Sequence, residues 1–347
     1  MAGESVLITG ASGHIGFRTL RYLLEYGYQV RAAVRSSAKA DKIRSNPTLQ
    51  GISEAQLSFI VVPDFVAAGA LDKAAEGVKY IVHVASPIPF RDGADPADQE
   101  EHFVKPAIQG TVNILESALR AGTVKRVVIT SSLVVNTPVD VQFGMTSSTH
   151  VYVAEDRIEM PETPYANAFV AYIASKVGSL AAAEQWIKDH PNAGFDAVYI
   201  HPAYTIGRDD LVLTSKEVNE GTNSAMLETV LGTTAAYGKA SCTVHVDDTA
   251  RVHALALKSS IPGNQSYLTV SEGLAGTTWQ DSRKYVQKHF PEAVADGTLP
   301  NNGEAPTVYY NTDASKTEKV FGIVHQGYEE QVVSVVGHYL ELLKKGL

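Results

Sequence analysis

Val6-Leu7-Ile8-Thr9-Gly10-Ala11-Ser12-Gly13-His14-Ile15-Gly16 is the stretch that decides the fold. An apolar strand runs straight into a Gly-x-x-Gly-x-x-Gly turn, and residues 15–24 then place apolar side chains at helical spacing. In that context the first glycine lets the chain leave the strand sharply. The second lets main chain approach a pyrophosphate with no Cβ in the way, and the third lets the helix lie close to the sheet. The helix N-terminus then aims backbone N–H groups at the anion. Glycine also collects in ordinary turns and caps. It is the placement between strand and helix that points to a dinucleotide held by Gly10, Ser12, Gly13, His14, Ile15 and Gly16.

Working outward, residues 5–9, 29–34, 57–62, 79–85, 125–131 and 196–201 read as strands, and 14–26, 69–76, 98–121 and 167–189 as helices. Alternation of this kind predicts a doubly wound α/β fold with a parallel sheet, whose ligands sit beyond the carboxyl ends of the strands. After residue 202 the pattern loosens, with Gly/Thr/Asn-rich stretches at 219–224 and 232–234, a Pro/Asn/Gly-rich stretch at 296–306, and an amphipathic helix at 327–345. The expected division is a Rossmann domain of residues 1–136, 166–206 and 240–271, and a smaller mixed substrate domain of 137–165, 207–239 and 272–347.

Composition narrows the function. With 347 residues, 44% hydrophobic and 19% charged, the chain is an ordinary globular one. A net charge of −9 and a pI near 5.7 argue against nucleic acid or an anionic membrane as partner and for a small molecule. The single cysteine, Cys242, excludes an internal disulfide framework and a Cys-rich zinc site. The histidines do not pair at ligand spacing, so no metal is expected. No basic leader precedes an apolar stretch, and no apolar run reaches the roughly 18 residues of a membrane helix. A cytoplasmic monomer or homodimer is the expectation.

Strand 29–34 ends where a ribose 2′ position would lie. NAD sites usually place an acidic residue there, whereas a 2′-phosphate calls for cations. Residues 27–40 hold no Asp or Glu but do hold Arg31, Arg35 and Lys39, which points to NADP (NADPH): Arg35 can fork onto a phosphate and Lys39 can add a point charge. The other reading of this segment is a solvated basic helix start. After the third strand Asp64, followed by Phe65, is positioned either to accept from an adenine amino group or to make a plain turn. The fourth strand closes in small residues around Val84-Ala85-Ser86, which would let main chain pass beside the cofactor.

The reacting groups are expected on the helix after the fifth strand. In Tyr172-Ile173-Ala174-Ser175-Lys176 the tyrosine and lysine share one helix face. A phenol of pKa about 10 is a poor acid-base catalyst at neutral pH, and a nearby ammonium brings it down. Composition alone predicts about one Tyr-x-x-x-Lys by accident; position lifts this one, because the preceding strand ends in Thr130-Ser131-Ser132. A hydroxyl there and the tyrosine could converge on one carbonyl oxygen.

These residues together resemble the extended short-chain dehydrogenase/reductase family. The likeness runs from the glycine turn through Gly110-Thr111-Val112-Asn113, Thr130-Ser131-Ser132 and Tyr172-Ile173-Ala174-Ser175-Lys176 to His245-Val246-Asp247-Asp248, some 240 residues. Val30-Arg31-Ala32-Ala33-Val34-Arg35, the stretch 83–87 and His201-Pro202-Ala203-Tyr204-Thr205-Ile206-Gly207 are most similar to its dihydroflavonol reductase, cinnamoyl-CoA reductase and yeast-type aldehyde/ketone reductase branch. The resemblance implies a catalytic triad of Ser132, Tyr172 and Lys176, with Ser131 as a backbone-capping neighbour. It also implies cofactor contacts from Thr130, Tyr172, Lys176, Pro202 and Thr205. The implied reaction is hydride transfer from nicotinamide to a carbonyl carbon, with Tyr172 protonating the oxygen.

Asn136 stands near a substrate-binding position of the flavonoid reductases, but its spacing from Ser132 differs and the role is not carried over. Ile88, Phe90, Val135, Phe169 and Tyr204 suggest a mostly hydrophobic pocket suited to an alkyl or aryl aldehyde or ketone, although each could equally be core. Two other functions compete. A sugar-nucleotide epimerase or dehydratase of the same superfamily usually retains NAD, against which the basic cluster counts. A non-catalytic dinucleotide sensor typically loses the tyrosine or the lysine, and both are present here.

Overall fold

The computed structural model describes residues 3–87 and 99–347; Ile88 and Phe90 lie outside them. Seven strands form one sheet: β1 (Ser5–Thr9), β2 (Gln29–Val34), β3 (Leu57–Val61), β4 (Tyr80–His83), β5 (Arg126–Thr130), β6 (Asp196–Pro202) and β7 (Gln265–Thr269), in the order β7-β6-β5-β4-β1-β2-β3. The neighbours from β3 across to β6 run parallel. β7 follows the same sense, since Asn264 N–H donates to Ala197 and, farther along, Ala203 N–H donates to Thr269. The order reverses between β1 and β4, which places the crevice of a doubly wound sheet beyond their carboxyl ends. β1 and β4 are buried along nearly their whole length, which accounts for their apolar runs. β7 is not among the strands read from the sequence: Gln265-Ser266-Tyr267-Leu268-Thr269 has no apolar run, although Pro262-Gly263-Asn264 marks a turn ahead of it.

Helix α1 (His14–Glu25) buries Phe17, Leu20, Leu23 and Leu24 along one face. Two longer helices, α2 (Lys105–Ala121) and α3 (Ala168–Asp189), pack on each other, and the contact is close: a Cβ at Gly178 would stand 2.6 Å from Ile108 Cδ1. At the amino ends of the strands, Arg126 grips Asp196 with two bonds of 2.6 and 2.8 Å and donates to the Ala256 and Lys258 carbonyls. That buried fork ties β5, β6 and the segment leading to β7 together.

The chain forms two compact units. One comprises Met1–Thr137, Glu155–His201 and Ala250–Tyr267; the other Pro138–Ala154, Pro202–Thr249 and Leu268–Leu347. The second unit has its own core of Ile206, Met226, Leu227, Trp279, Tyr328 and Val332. Its strands are short parallel pairs, among them Tyr204–Ile206 with Thr243–His245. The stretch 219–224, which reads as loosened chain, starts a helix at Gly221–Val230; its turn-forming residues occupy the helix N-terminus, where they suit unpaired N–H groups. Among the described residues no helix is long and apolar enough to cross a membrane.

Candidate active site

The glycine turn is built from two different requirements. Gly10 has a φ of +79°, and a Cβ there would lie 2.6 Å from the Ala85 nitrogen. At Gly16 a Cβ would fall 2.0 Å from the Gly10 oxygen. Packing alone therefore demands both. Gly13 differs: its backbone is extended, and its Cβ would meet nothing nearer than 3.6 Å. The missing side chain leaves an open approach rather than relieving a clash. Gly13 also N-caps α1 with no side-chain cap, and the first turn of that helix carries no acidic residue. A polarised helix end facing an uncrowded glycine is the cradle a pyrophosphate requires. His14 adds a buried Nε2 with no hydrogen-bond partner among the described residues.

β1 and β4 are joined at this end through a side chain that sequence reasoning did not single out. Thr9 Oγ1 accepts from the Ala85 N–H at 3.2 Å and lies 2.9 Å from His83 Nδ1. Thr9 Oγ1 and His83 Nδ1 share one proton between them, so the two strand ends are hydrogen-bonded side chain to side chain. The half-buried Val84 and Ala85 lie with their main chain against Gly10. The signal for the link was present, as a polar His among the apolar residues of β4.

Beyond β2, Arg35 and Lys39 lie exposed on one segment with Ser36 and Ser37 between them, at the start of a helix, Ser37–Arg44, that has no side-chain cap. Two cations, two hydroxyls and unpaired N–H groups in five residues suit a phosphate. Arg31 does not join them. Its guanidinium donates to the Ala74 and Glu76 carbonyls at 2.8 Å each, because it sits inside the strand and points to the end of a neighbouring helix. Asp64 makes the turn: its Oδ1 accepts from Val66 N–H at 2.8 Å. The Asn113 amide, buried on α2, donates to the Phe65, Val66 and Ala67 carbonyls and holds that loop.

Tyr172 and Lys176 are brought together on α3, with Nζ 5.8 Å from the phenol ring centroid. Lys176 is 7% exposed, and burial brings its ammonium down to about 8. His83 is buried, and burial followed by the Lys176 charge brings its imidazole down to about 4, so it is neutral at neutral pH. Phe169 stacks on Tyr172 at 5.9 Å. Asn167 caps α3 by accepting from the Phe169 and Val170 N–H groups, worth about 1 kcal/mol.

α3 also packs on the short turn Leu133–Val135, which follows Ser132. The two serines exchange the roles expected of them in capping. Ser132 Oγ accepts from Val134 N–H at 3.4 Å and caps that turn, while the buried Ser131 Oγ has no partner among the described residues. Ser131 still belongs to the sheet, its N–H donating to Ile200 at 2.7 Å; the chain leaves the strand one residue later. Accepting that bond leaves Ser132 its hydroxyl proton to donate. Thr130 Oγ1 lies 2.8 Å from His253 Nε2. Asn136 is fully occupied inside the protein, between the Asp156 carbonyl and His201 Nδ1.

Pro202 and Thr205 fall in the second unit, where Thr205 Oγ1 donates to the Ala203 carbonyl and its own carbonyl accepts from Thr222. In the same unit Asp248 accepts from both the backbone and the side-chain amide of Gln326, ahead of the last helix. Among the described residues no three His, Cys, Asp or Glu gather to hold a metal.

The profile of the NAD dependent epimerase/dehydratase family matches residues 6–268. The chain is 45% identical to ketoreductase CTB6 of Cercospora beticola, over 99% of this chain and 97% of that one. It is 30% identical to cinnamoyl-CoA reductase CAD2 of Medicago truncatula over 74% of this chain and 73% of the other. Among solved structures, yeast methylglyoxal/isovaleraldehyde reductase Gre2 complexed with NADPH superposes with a TM-score of 0.80 at 23% identity, covering 98% and 99% of the two chains.

Proposed function

The chain belongs to the NAD dependent epimerase/dehydratase family, the extended short-chain dehydrogenases/reductases, and from that premise we propose that it is an NADPH-dependent carbonyl reductase. Its substrate is a hydrophobic, alkyl or aryl, aldehyde or ketone, and its product the alcohol. The observation that carries the proposal is the buried Lys176 held 5.8 Å from the Tyr172 ring, on a helix packed against the turn that Ser132 caps. A ketoreductase relative at 45% identity supports the same reaction class, and the NADPH complex of the Gre2 reductase supports the cofactor.

When bound, NADPH supplies the hydride. The chain's own groups do the rest. Main chain at Gly10–Gly16 and the start of α1 hold the pyrophosphate. Arg35 and Lys39, helped by Ser36 and Ser37, hold the 2′-phosphate that an NAD site would lack. Ser132 donates its hydroxyl proton to the carbonyl oxygen and orients it. Tyr172 gives that oxygen a proton as charge develops, and the Lys176 ammonium favours the resulting phenolate. Thr130 lines the cofactor in this reading, with Asp64 and Phe65 at its adenine end.

The test is absorbance at 340 nm with NADPH, then NADH, against a panel of aliphatic and aryl aldehydes, ketones and diketones. Oxidation that prefers NADPH is expected. Tyr172→Phe removes about 10³-fold of turnover while leaving NADPH binding near normal. Arg35→Ala weakens NADPH about tenfold or more, the value of a charge-assisted bond pair, and leaves NADH unchanged. An active Tyr172→Phe enzyme, or equal losses for both cofactors, would refute the respective assignment.

A further inference from the structure

We propose that Tyr165 and Glu100 form a clamp that positions Tyr172 for proton transfer, an inference that rests on Tyr172 being the proton donor. Tyr165 lies seven residues before Tyr172, ahead of the Asn167 cap and outside α3. Its hydroxyl donates to Glu100 Oε2 at 2.5 Å, a short bond of the kind a carboxylate acceptor gives. Burial, then the bond to Glu100, holds the phenol well above its ordinary pKa, so it remains a donor throughout the working range.

Glu100 opens a π-turn, Glu100–Val104, directly before α2. A π-turn is rare and recurs at functional sites. Here it delivers Phe103 and Val104, both buried, into one cluster with Ala171 and Ala174 of α3. Tyr165 and Tyr172 pack against that same cluster. Phe103 and Val104 thus back the turn of α3 that carries Tyr172, the Asn167 cap fixes where the helix starts, and the bond to Glu100 anchors the approaching chain to a different helix. Phe169, between the two tyrosines in sequence, stacks on Tyr172. Proton transfer needs the phenol within hydrogen-bond reach of the substrate oxygen, and a displacement of about 1 Å can cost up to 10²-fold in rate. Tyr165 acts through the chain that enters α3 and is a positioning residue.

The experiment compares wild type, Tyr165→Phe, Glu100→Ala and Glu100→Gln in steady-state kinetics, with 1-phenyl-1,2-propanedione or the best carbonyl compound of the panel as probe. Melting temperature and NADPH fluorescence titration are recorded alongside, and Tyr172→Phe serves as the reference. Tyr165→Phe and Glu100→Ala lower kcat roughly tenfold while the KM for NADPH stays within twofold. Glu100→Gln, which keeps an oxygen acceptor for the Tyr165 hydroxyl, recovers most of kcat. A kcat within twofold of wild type in both Tyr165→Phe and Glu100→Ala overturns the clamp. So does a loss that only tracks a lowered melting temperature, or one that Glu100→Gln fails to rescue. If Tyr172→Phe itself turns over normally, the proton-donor assignment has failed, an outcome distinct from failure of the clamp alone.

Discussion

Between Thr9 and Gly16 the molecule offers main chain to its ligand; between Tyr172 and Lys176 it holds side chains that water would solvate better. The turn contains no titrating group that its function needs, and two of its three glycines are demanded by packing whether or not a cofactor is present. The helix face, by contrast, carries a buried ammonium brought down to about 8 beside a phenol. Binding is thus built into the fold at no added cost, whereas acid-base chemistry is built in against it. Sites tuned by burial are commonly those where stability has been given up for reactivity.

The largest effect that can break this contrast comes from the turn. Gly16→Ala puts a Cβ 2.0 Å from the Gly10 oxygen, a backbone atom that cannot step aside. A loss of about 3 kcal/mol or more is expected from urea unfolding, at the top of the overpacking range. Gly13→Ala meets only an ordinary 3.6 Å contact and should keep stability within about 0.5 kcal/mol while weakening NADPH at least tenfold by fluorescence titration. Equal destabilisation by the two would mean that Gly13 serves packing after all, and the cradle would lose its evidence.

Lys176→Met addresses the other side. With a folded pKa near 8 against an ordinary 10.5, the buried ammonium costs stability in full below pH 8, and the cost fades as pH rises toward 10.5. A shift of that size corresponds to about 3 kcal/mol. The apo variant should therefore be more stable than wild type at pH 7 by about 2–3 kcal/mol, and dead as a catalyst. A variant that is both inactive and less stable would show that Lys176 holds the fold together instead.

Legibility followed the same division. Strand and helix bounds were readable to within a few residues wherever period and burial agreed, as in β1, α1 and α3, and the glycine turn declared itself through its position. Arg31 misled because sequence shows a charge without its direction; inside β2 it turns to carbonyls at 74 and 76. Ser131 misled because capping depends on where the strand hydrogen bonds stop, which differs by a single residue. The Tyr165–Glu100 bond joins positions 65 residues apart, and nothing local to either marks it. Asp248 was visible only as part of a motif; its grip on Gln326, 78 residues away, is a tertiary fact.

The smallest effect tests the seam between the two regions, where His83 touches Thr9 of the turn and feels the charge of Lys176. Its folded pKa lies near 4 against an ordinary 6.5, so the unfolded chain takes up a proton that the native state refuses. The stabilisation is complete above pH 6.5 and drains away as pH falls toward 4. Between pH 7 and 5 the loss attributable to this residue is about 2 kcal/mol. Carboxylates titrate in the same window, so the informative quantity is the difference from His83→Asn, whose amide can still hydrogen-bond Thr9 and is not protonated there. That variant should lose about 2 kcal/mol less than wild type on acidification, measured by urea unfolding at both pH values. Parallel pH curves for the two proteins would mean that His83 admits a proton without cost, and the seam would then be as indifferent to charge as the turn it adjoins.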